Sequence, residues 1–343
     1  MLSRRLVLAG ALATCVARPL SAQQRDALIE GAKREGQCAL AHSVSLASFP
    51  RFLQAFEAKY PFISTSAGLY GAPTGRVLAR VEGEMKAGAL TFDALHVASL
   101  APFLGLSRQG LLADYVSQEL SAYPPDAHDR GQWATARIVG VIMAYNKNTL
   151  SAALVPKSWT DLLRPEFKGR KLIIQDAAAG TCFNQMYMLG QVLGQDFLKR
   201  LGAQRPIVVA TAAQLIDMLV RGEAMVGATV DHYRAFEPEP VRAGIVGVYP
   251  TEGMPLAVAP IAIFKSAPHP NAARLFEDFV LSADGQELLN TQIFQTYSMR
   301  EGFKPPPGQL PLADTKPLMP KDLADYERAA ANFPDTFDDL FKA

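Results

Sequence analysis

The chain has 343 residues, 49% hydrophobic and 20% charged, enough to bury a sizeable core in two domains or one large one. Its formal charge is +1, but Arg4, Arg5 and Arg18 fall within residues 1–22, which hold no acid, so the remainder carries 31 basic against 33 acidic residues, or −2. That balance excludes a basic face for nucleic acid.

Residues 1–22 read as a signal peptide: a charged start, an apolar run from Leu6 to Val16 and a small-residue end at Ser21-Ala22, too short for a membrane span. "SRRLVL" fits a twin-arginine export signal and equally an ordinary leader with paired arginines. "LATC" offers Cys15 for lipidation, with Thr14 unusual before a lipidated cysteine. Cys38 and Cys182 then remain, in different lobes of the organisation below, and read as buried free thiols rather than a disulfide or a metal cluster.

"CALAHS" (38–43) predicts a strand, and Phe49, Phe52, Leu53 and Phe56 predict a helix with one buried face. "FISTSAG" (62–68) predicts a second strand. Val77, Leu78, Val81 and Met85 predict a helix over 75–87, and "FDALHVA" (92–98) a third strand. Such alternation implies a parallel, doubly wound sheet with helices on both faces, where ligands bind outside the C-terminal strand ends. His42-Ser43, the loop Gly68–Gly75 and Ala98-Ser99 fall along that edge.

A long apolar strand (134–146) follows, and alternation restarts through the strand Lys171–Gln175, a helix after Gly180-Thr181, the strand 206–210, the helix 212–222 and the strand 224–230. A second long apolar segment (253–264) leads to a helix with Ala272, Leu275, Phe276 and Phe279 on one face, broken at Ser282–Gly285. The two long strands bracket an inserted unit, which gives lobe one as 23–145 plus 253–343 and lobe two as 146–252. The proline-rich segment 303–320 reads as a surface strap and the last residues as short helices. Trp133 and Trp159 read as packing residues.

"YNKNTL" followed by "VPKSWTDLLRPEFKGRKLIIQD", then "DAAAGT" before a helix, then "YPTEGMPLAVAPIAIFKSAPHPNAARLFEDFVLSADGQELL", spread over nearly the whole mature chain, resemble an extracellular solute-binding protein of a bacterial ABC importer. The group resembled includes ferric-ion, thiamine and phosphonate binders. It implies a two-lobe α/β fold of the periplasmic-binding-protein type (type II), each lobe a sheet flanked by helices and joined by hinge strands. Lobe closure on a ligand and docking on a permease in the inner membrane follow. The expected protein is a periplasmic monomer without cofactor, a binder rather than an enzyme.

Thr74-Gly75 and Gly180-Thr181 each open a helix, and two helix N-termini facing a cleft suit an anion, with Thr74 free to cap the first turn of its helix and Gly75 letting backbone come close to a ligand. The loop lacks the Lys-Ser/Thr of a nucleotide-binding Walker loop, having Gly-Ala-Pro-Thr-Gly-Arg instead. Arg76 and Arg234 offer partners for a carboxylate or phosphonate, and Tyr70 an aromatic wall. The expected site is His42, Ser43, Tyr70, Thr74, Gly75, Arg76, Tyr145, Gly180, Thr181, His232 and Tyr233, holding a small organic anion such as a phosphonate or carboxylate. By resemblance to ferric-binding relatives, His42, Tyr145, His232 and Tyr233 form an alternative site in which Fe³⁺ is the ligand; the His232-Tyr233 pair stands where those proteins place two tyrosines. A third reading is a secreted two-lobe hydrolase or transferase using Asp176 and Asp231, although no Gly-x-Ser-x-Gly, His-Glu-x-x-His or Ser-x-x-Lys motif near a strand end accompanies them.

Overall fold

The computed structural model describes residues 21–44, 48–129 and 131–342. The leader, with Arg4, Arg5 and Cys15, lies outside the described residues apart from Ser21 and Ala22. α1 (Ala22–Glu35) starts on a capping box, in which the Ser21 hydroxyl accepts from the Gln24 N–H and the Gln24 side chain accepts from the Ser21 N–H. It stops at Gly36, whose φ of 69° is the left-handed C-cap. β1 (Leu40–His42), α2 (Phe49–Lys59), β2 (Leu69–Gly71), α3 (Thr74–Lys86), β3 (Ala94–His96) and α4 (Ala101–Arg108) follow, then the short β4 (His128–Asp129) and the long β5 (Trp133–Asn146). β1 lies between β2 and β3, all parallel. The predicted face of α2 is buried as expected, with Phe52 and Phe56 against Phe276 and Phe279 of a later helix.

The second strand is displaced from its expected place. Residues 62–68 form one isolated bridge, Gln37 to Ser64, and a 3₁₀ turn at Ser66–Gly68; the strand is Leu69–Gly71. Glu57 takes both the N–H and the hydroxyl of Thr65, each at 2.7 Å, and such local side-chain bonds compete with a ladder.

β6 (Leu172–Gln175), α5 (Gly180–Leu193), α6 (Gln195–Gly202), β7 (Ile207–Val209), α7 (Ala212–Val220), β8 (Val226–Asp231), α8 (Pro238–Arg242) and β9 (Ile245–Val248) build the second sheet, with β6 parallel to both β7 and β8. Its strands are buried on both faces: Leu172 and Ile174 meet the α5 and α6 side, Ile173 the α7 side. β10 (Met254–Ile263) returns to the first sheet between β3 and β5, antiparallel to both. α9 (Pro270–Leu281) and α10 (Ala283–Gln286) break at Ser282, whose hydroxyl accepts from the Gly285 N–H at 3.1 Å, in agreement with the expected break. The proline-rich segment contributes β11 (Pro317–Leu318) beside β10.

β5 ties the two sheets together. Ala134–Gly140 pair with β10, whereas Val141–Tyr145 pair with β8 and β9, so the strand changes sheets at Gly140/Val141. Residues 141–145, assigned from sequence to lobe one, therefore ladder with the second sheet. The chain end also differs from expectation. It is one helix, α11 (Leu323–Phe341), not several short ones, because Tyr326, Phe333 and Phe337 make a single buried face that carries it through Pro334. That face packs on α5 through Phe183, and the Arg108 guanidinium of α4 pairs with the Glu327 carboxylate.

Cys38 and Cys182 are buried free thiols, and burial pushes both pKa values well up, so neither is a reactive thiolate. Both tryptophans are buried as expected, with Trp159 Nε1 donating to the Gly253 carbonyl at 2.9 Å.

Candidate functional site

The strands of both sheets end at a cavity of about 390 Å³ between them. From the first sheet come Ser43 and Val44 after β1, Thr74 at the start of α3, Ala98 after β3, and Arg137 and Val139 on β5; from the second come Gln175 at the end of β6, Gly180 and Thr181 opening α5, Thr211 before α7, Asp231 at the end of β8, and Tyr233 and Arg234 after it. Three helices of 13, 14 and 9 residues thus aim their N-termini, the positive ends of their dipoles, at one space.

Thr74 and Thr181 do not cap. Each lies inside the first turn of its helix, and neither α3 nor α5 has a side-chain cap bond. Thr211, which the sequence reading passed over, is a true N-cap, accepting from the Gln214 N–H at 3.2 Å. Thr181 Oγ1 meets only a long contact, 3.5 Å from Gln175 Nε2. The Gln175 amide lies 3.0 Å from the Thr229 carbonyl and 3.1 Å from Asp231 Oδ1, which fixes that carboxylate against the cleft.

The lobes touch through backbone. The Gly75 N–H donates to the Ala178 carbonyl at 3.1 Å, and a Cβ on Gly180 would overlap the Ala98 carbonyl oxygen. Gly75 is therefore spent on the opposite lobe, and the glycine at 180 is there for close approach.

Arg137 is only 3% exposed. Its Nε donates to His96 Nε2 at 3.1 Å, while its two terminal nitrogens have no hydrogen bond or ion pair among the described residues. Burial lowers its pKa from the ordinary arginine value, opposed by the nearby Asp231 carboxylate, yet a guanidinium stays protonated. Arg234 is tied to Glu237 at 2.8 Å, and its Nε is buried without a partner. Burial also raises the Tyr233 phenol.

Five of the eleven predicted site residues, Ser43, Thr74, Gly180, Thr181 and Tyr233, line the cavity. Arg76 is exposed on α3 and outside the lining, and Tyr70 walls a separate cavity of about 350 Å³ beneath Arg80, whose guanidinium lies 4.3 Å from its ring. The iron constellation is not assembled, since only Tyr233 of its four members reaches the cleft. His42 is buried, with Nδ1 accepting from the Val44 N–H at 3.2 Å. His232 is stacked on Tyr297 with ring centroids 4.7 Å apart, and its Nδ1 lies 2.9 Å from the Gly140 nitrogen. Burial lowers His42 to about 4 and His232 to about 3. Tyr145 pairs with Val226 and Val246, far along β5; six residues beyond Val139 is about 20 Å of strand. Among the described residues no group of three or more His, Cys, Asp and Glu could hold a metal ion. Asp176 accepts from the Ala178 N–H at 3.0 Å and is outside the lining, so the carboxylate pair of the enzyme reading is reduced in the cleft to Asp231 alone.

A family model described as bacterial extracellular solute-binding protein matches residues 98–325. The chain belongs to that family. This solute-binding protein is similar, at 29% identity over 248 residues covering 68% of it and 70% of its relative, to an uncharacterized protein of Haemophilus influenzae. Among solved structures it resembles AfuA from Actinobacillus pleuropneumoniae with fructose-6-phosphate bound, at TM-score 0.78 and 23% identity over 90% of this chain and 99% of that one. It also resembles iron-bound HitA from Pseudomonas aeruginosa, at TM-score 0.75 and 22% identity over 88% and 99%. At such identities the likeness is one of fold, and it agrees with the expected two-lobe periplasmic-binding architecture. The protein is the solute-binding component of an ABC importer, with a small-molecule or ion ligand and a permease as partners. No helix among the described residues is long and apolar enough to cross a membrane.

Proposed function

We propose that this solute-binding protein captures a small organic anion bearing a phosphate or phosphonate group, together with a hydrogen-bond donor such as a hydroxyl or ammonium. The observation that carries the reading is the Arg137 guanidinium, buried in the cleft with its terminal nitrogens unmatched by any described carboxylate. A buried cation with no carboxylate bonded to it, only Asp231 across the cleft, is costly unless a ligand supplies the partner. The N-termini of α3, α5 and α7 converge on the same space, their dipoles favour a tetrahedral anion, and the first turns of α5 and α7 add N–H donors for its oxygens. Asp231 then needs explaining, because a carboxylate repels an anion. Its Oδ1 is held by Gln175 and its second oxygen has no partner among the described residues, so it suits a donor on the rest of the ligand. A cavity of about 390 Å³ fits a molecule of sugar-phosphate size or smaller. The phosphate ester in the AfuA structure supports this class. Ferric ion is less well served, since one buried phenol with a raised pKa is a poor start for a set of anionic donors.

On this reading the ligand leaves unchanged, the chain acts as a periplasmic monomer, and export precedes function by the Sec or twin-arginine route. Mass spectrometry of co-purified ligand, followed by titration calorimetry with fructose-6-phosphate, 2-aminoethylphosphonate and ferric citrate, tests it. An organophosphate or phosphonate that binds and is recovered intact is the expected outcome. Affinity for ferric ion alone, or turnover of the ligand, would overturn it.

A further inference from the structure

Arg137 raises a second question: what keeps a buried guanidinium in one orientation without neutralising it? Arginines in protein interiors are ordinarily held by carboxylates, which fix the fork and spend its charge together. Here the described neighbour is an imidazole. His96 Nδ1 lies 2.8 Å from the Pro260 carbonyl, which can only accept, so that nitrogen carries the proton. Its other nitrogen, Nε2, is then a lone-pair acceptor, and it receives the Arg137 Nε–H at 3.1 Å. The chain Pro260 carbonyl, His96, Arg137 therefore runs in one direction across three neighbouring strands, β10, β3 and β5.

The acceptor at its head is placed by a strand irregularity. The β10 to β5 register shifts between Ala259 and Pro260, and Pro260, which has no N–H to give a ladder, presents its carbonyl to the His96 ring. Other groups around the pair add no counter-charge on this side: His42 of β1 is a second buried imidazole, and Phe294 lies under the guanidinium at 5.8 Å. Asp231, Tyr233 and Arg234 approach from the opposite lobe.

We infer that His96 is a positioning residue for the ligand, an imidazole locked in its Nδ1–H tautomer by Pro260 that orients Arg137 into the cleft without neutralising it, so that the terminal nitrogens stay available to the bound anion. The inference rests on the proposed organic-anion site. It also assigns the anionic end of the ligand to the first lobe, which holds this array before the second lobe closes. An aspartate at position 96 would orient Arg137 equally well and cancel it; a leucine or phenylalanine would leave it charged but free to swing.

The test begins on ligand-free wild type. In a long-range ¹H–¹⁵N spectrum of histidine-labelled protein near neutral pH, with His96 assigned by the loss of its signals in His96→Gln, the expected pattern is a single Nδ1-protonated ring whose Nε2 resonance moves in Arg137→Met. An Nε2-protonated ring, or an Nε2 signal indifferent to Arg137, overturns the inference. Calorimetry with fructose-6-phosphate and inorganic phosphate as probes supplies the second arm. His96→Phe should lose about tenfold or more in affinity, while His96→Gln, whose amide can both donate and accept, should regain most of it. Equal affinity in wild type and His96→Phe overturns the inference, as does equal loss in both variants. If these probes and 2-aminoethylphosphonate all fail to bind the wild type, the organic-anion reading falls, and the tautomer spectrum alone decides for or against His96.

Discussion

On the first-lobe wall of the cleft, Arg137 is buried without a carboxylate partner and held by a neutral imidazole; on the second-lobe wall, Arg234 is paired with Glu237 and lies 5.2 Å over the Tyr233 ring. The helices differ in the same sense. α3 buries only Thr74, Val77 and Val81, whereas α5 buries ten of its fourteen residues and is covered by α11. The comparison separates two jobs. The first wall keeps an unspent charge in place, and the second, its arginine already paired, closes over it and offers Asp231 to the rest of the ligand. Recognition energy should accordingly be concentrated on the first wall.

Acid should distinguish the walls with the largest effect. Burial lowers His42 to about 4 and His96 to about 3 on the first wall, and His232 to about 3 at the crossing of β5. Each titrates below the unfolded value of about 6.5, so the stability it contributes is present above that pH and is lost as pH falls through it towards the folded value. Each ring costs roughly 1.4 kcal/mol per pH unit across that window. The ligand-free thermal midpoint should fall steeply below about pH 6, and His96→Gln should flatten the slope by about one proton. A slope unchanged in that variant would place the uptake elsewhere.

Arg137→Met comes next. Calorimetry should show affinity for the anionic probe falling by about 2–5 kcal/mol, while the ligand-free thermal midpoint holds or rises, because a desolvated charge has been removed. Arg234→Met should lose about 1 kcal/mol of affinity and leave the half-buried Glu237 unpaired, lowering the midpoint slightly. Equal losses of affinity for the two arginines would erase the distinction between the walls.

Much of this was legible in the chain. The faces of α2, α3 and α9, the two long strands and the break at Ser282 follow from periodicity and capping, which are local. Arg137 was not recognised, although a lone arginine inside "ATARIVGVIMAYN" was the available signal: a charge in a strand covered on both faces must meet a partner or a ligand. Tyr145 shares the odd-numbered face of Arg137 and Val139 in the sequence pattern, but β5 leaves the cleft for the second sheet at Val141, and no local signal marks that crossing. His42 and His232 sit at strand ends as expected, but their rings turn to backbone N–H groups. The sequence marks Gly75 and Gly180 as points of close approach, but what approaches is the backbone of the opposite lobe, with Gly180 also lining the cavity.

A Cβ on Gly180 would overlap the Ala98 carbonyl oxygen and come within 3.1 Å of the Thr74 hydroxyl, so Gly180→Ala should hinder closure while leaving Arg137 and Asp231 untouched. If the closed fraction drops tenfold, apparent affinity drops by about the same factor. Small-angle scattering with saturating ligand should show a larger radius of gyration than the wild type. A variant that closes and binds normally would mean that the contact between Gly180 and Ala98 is incidental.

Gly83→Ala is the matched control and the smallest effect. Gly83 lies inside α3 with no heavy atom within 4 Å of an added Cβ, and its φ is not in the left-handed region. Alanine there removes unfolded-state freedom and adds helix propensity, so chemical denaturation should show a gain of about 0.5–1 kcal/mol. Because α3 is the mostly exposed jaw, stiffening it should leave affinity unchanged. A parallel change in affinity would mean that α3 must yield when the lobes close, and that the first wall is less fixed than its arginine.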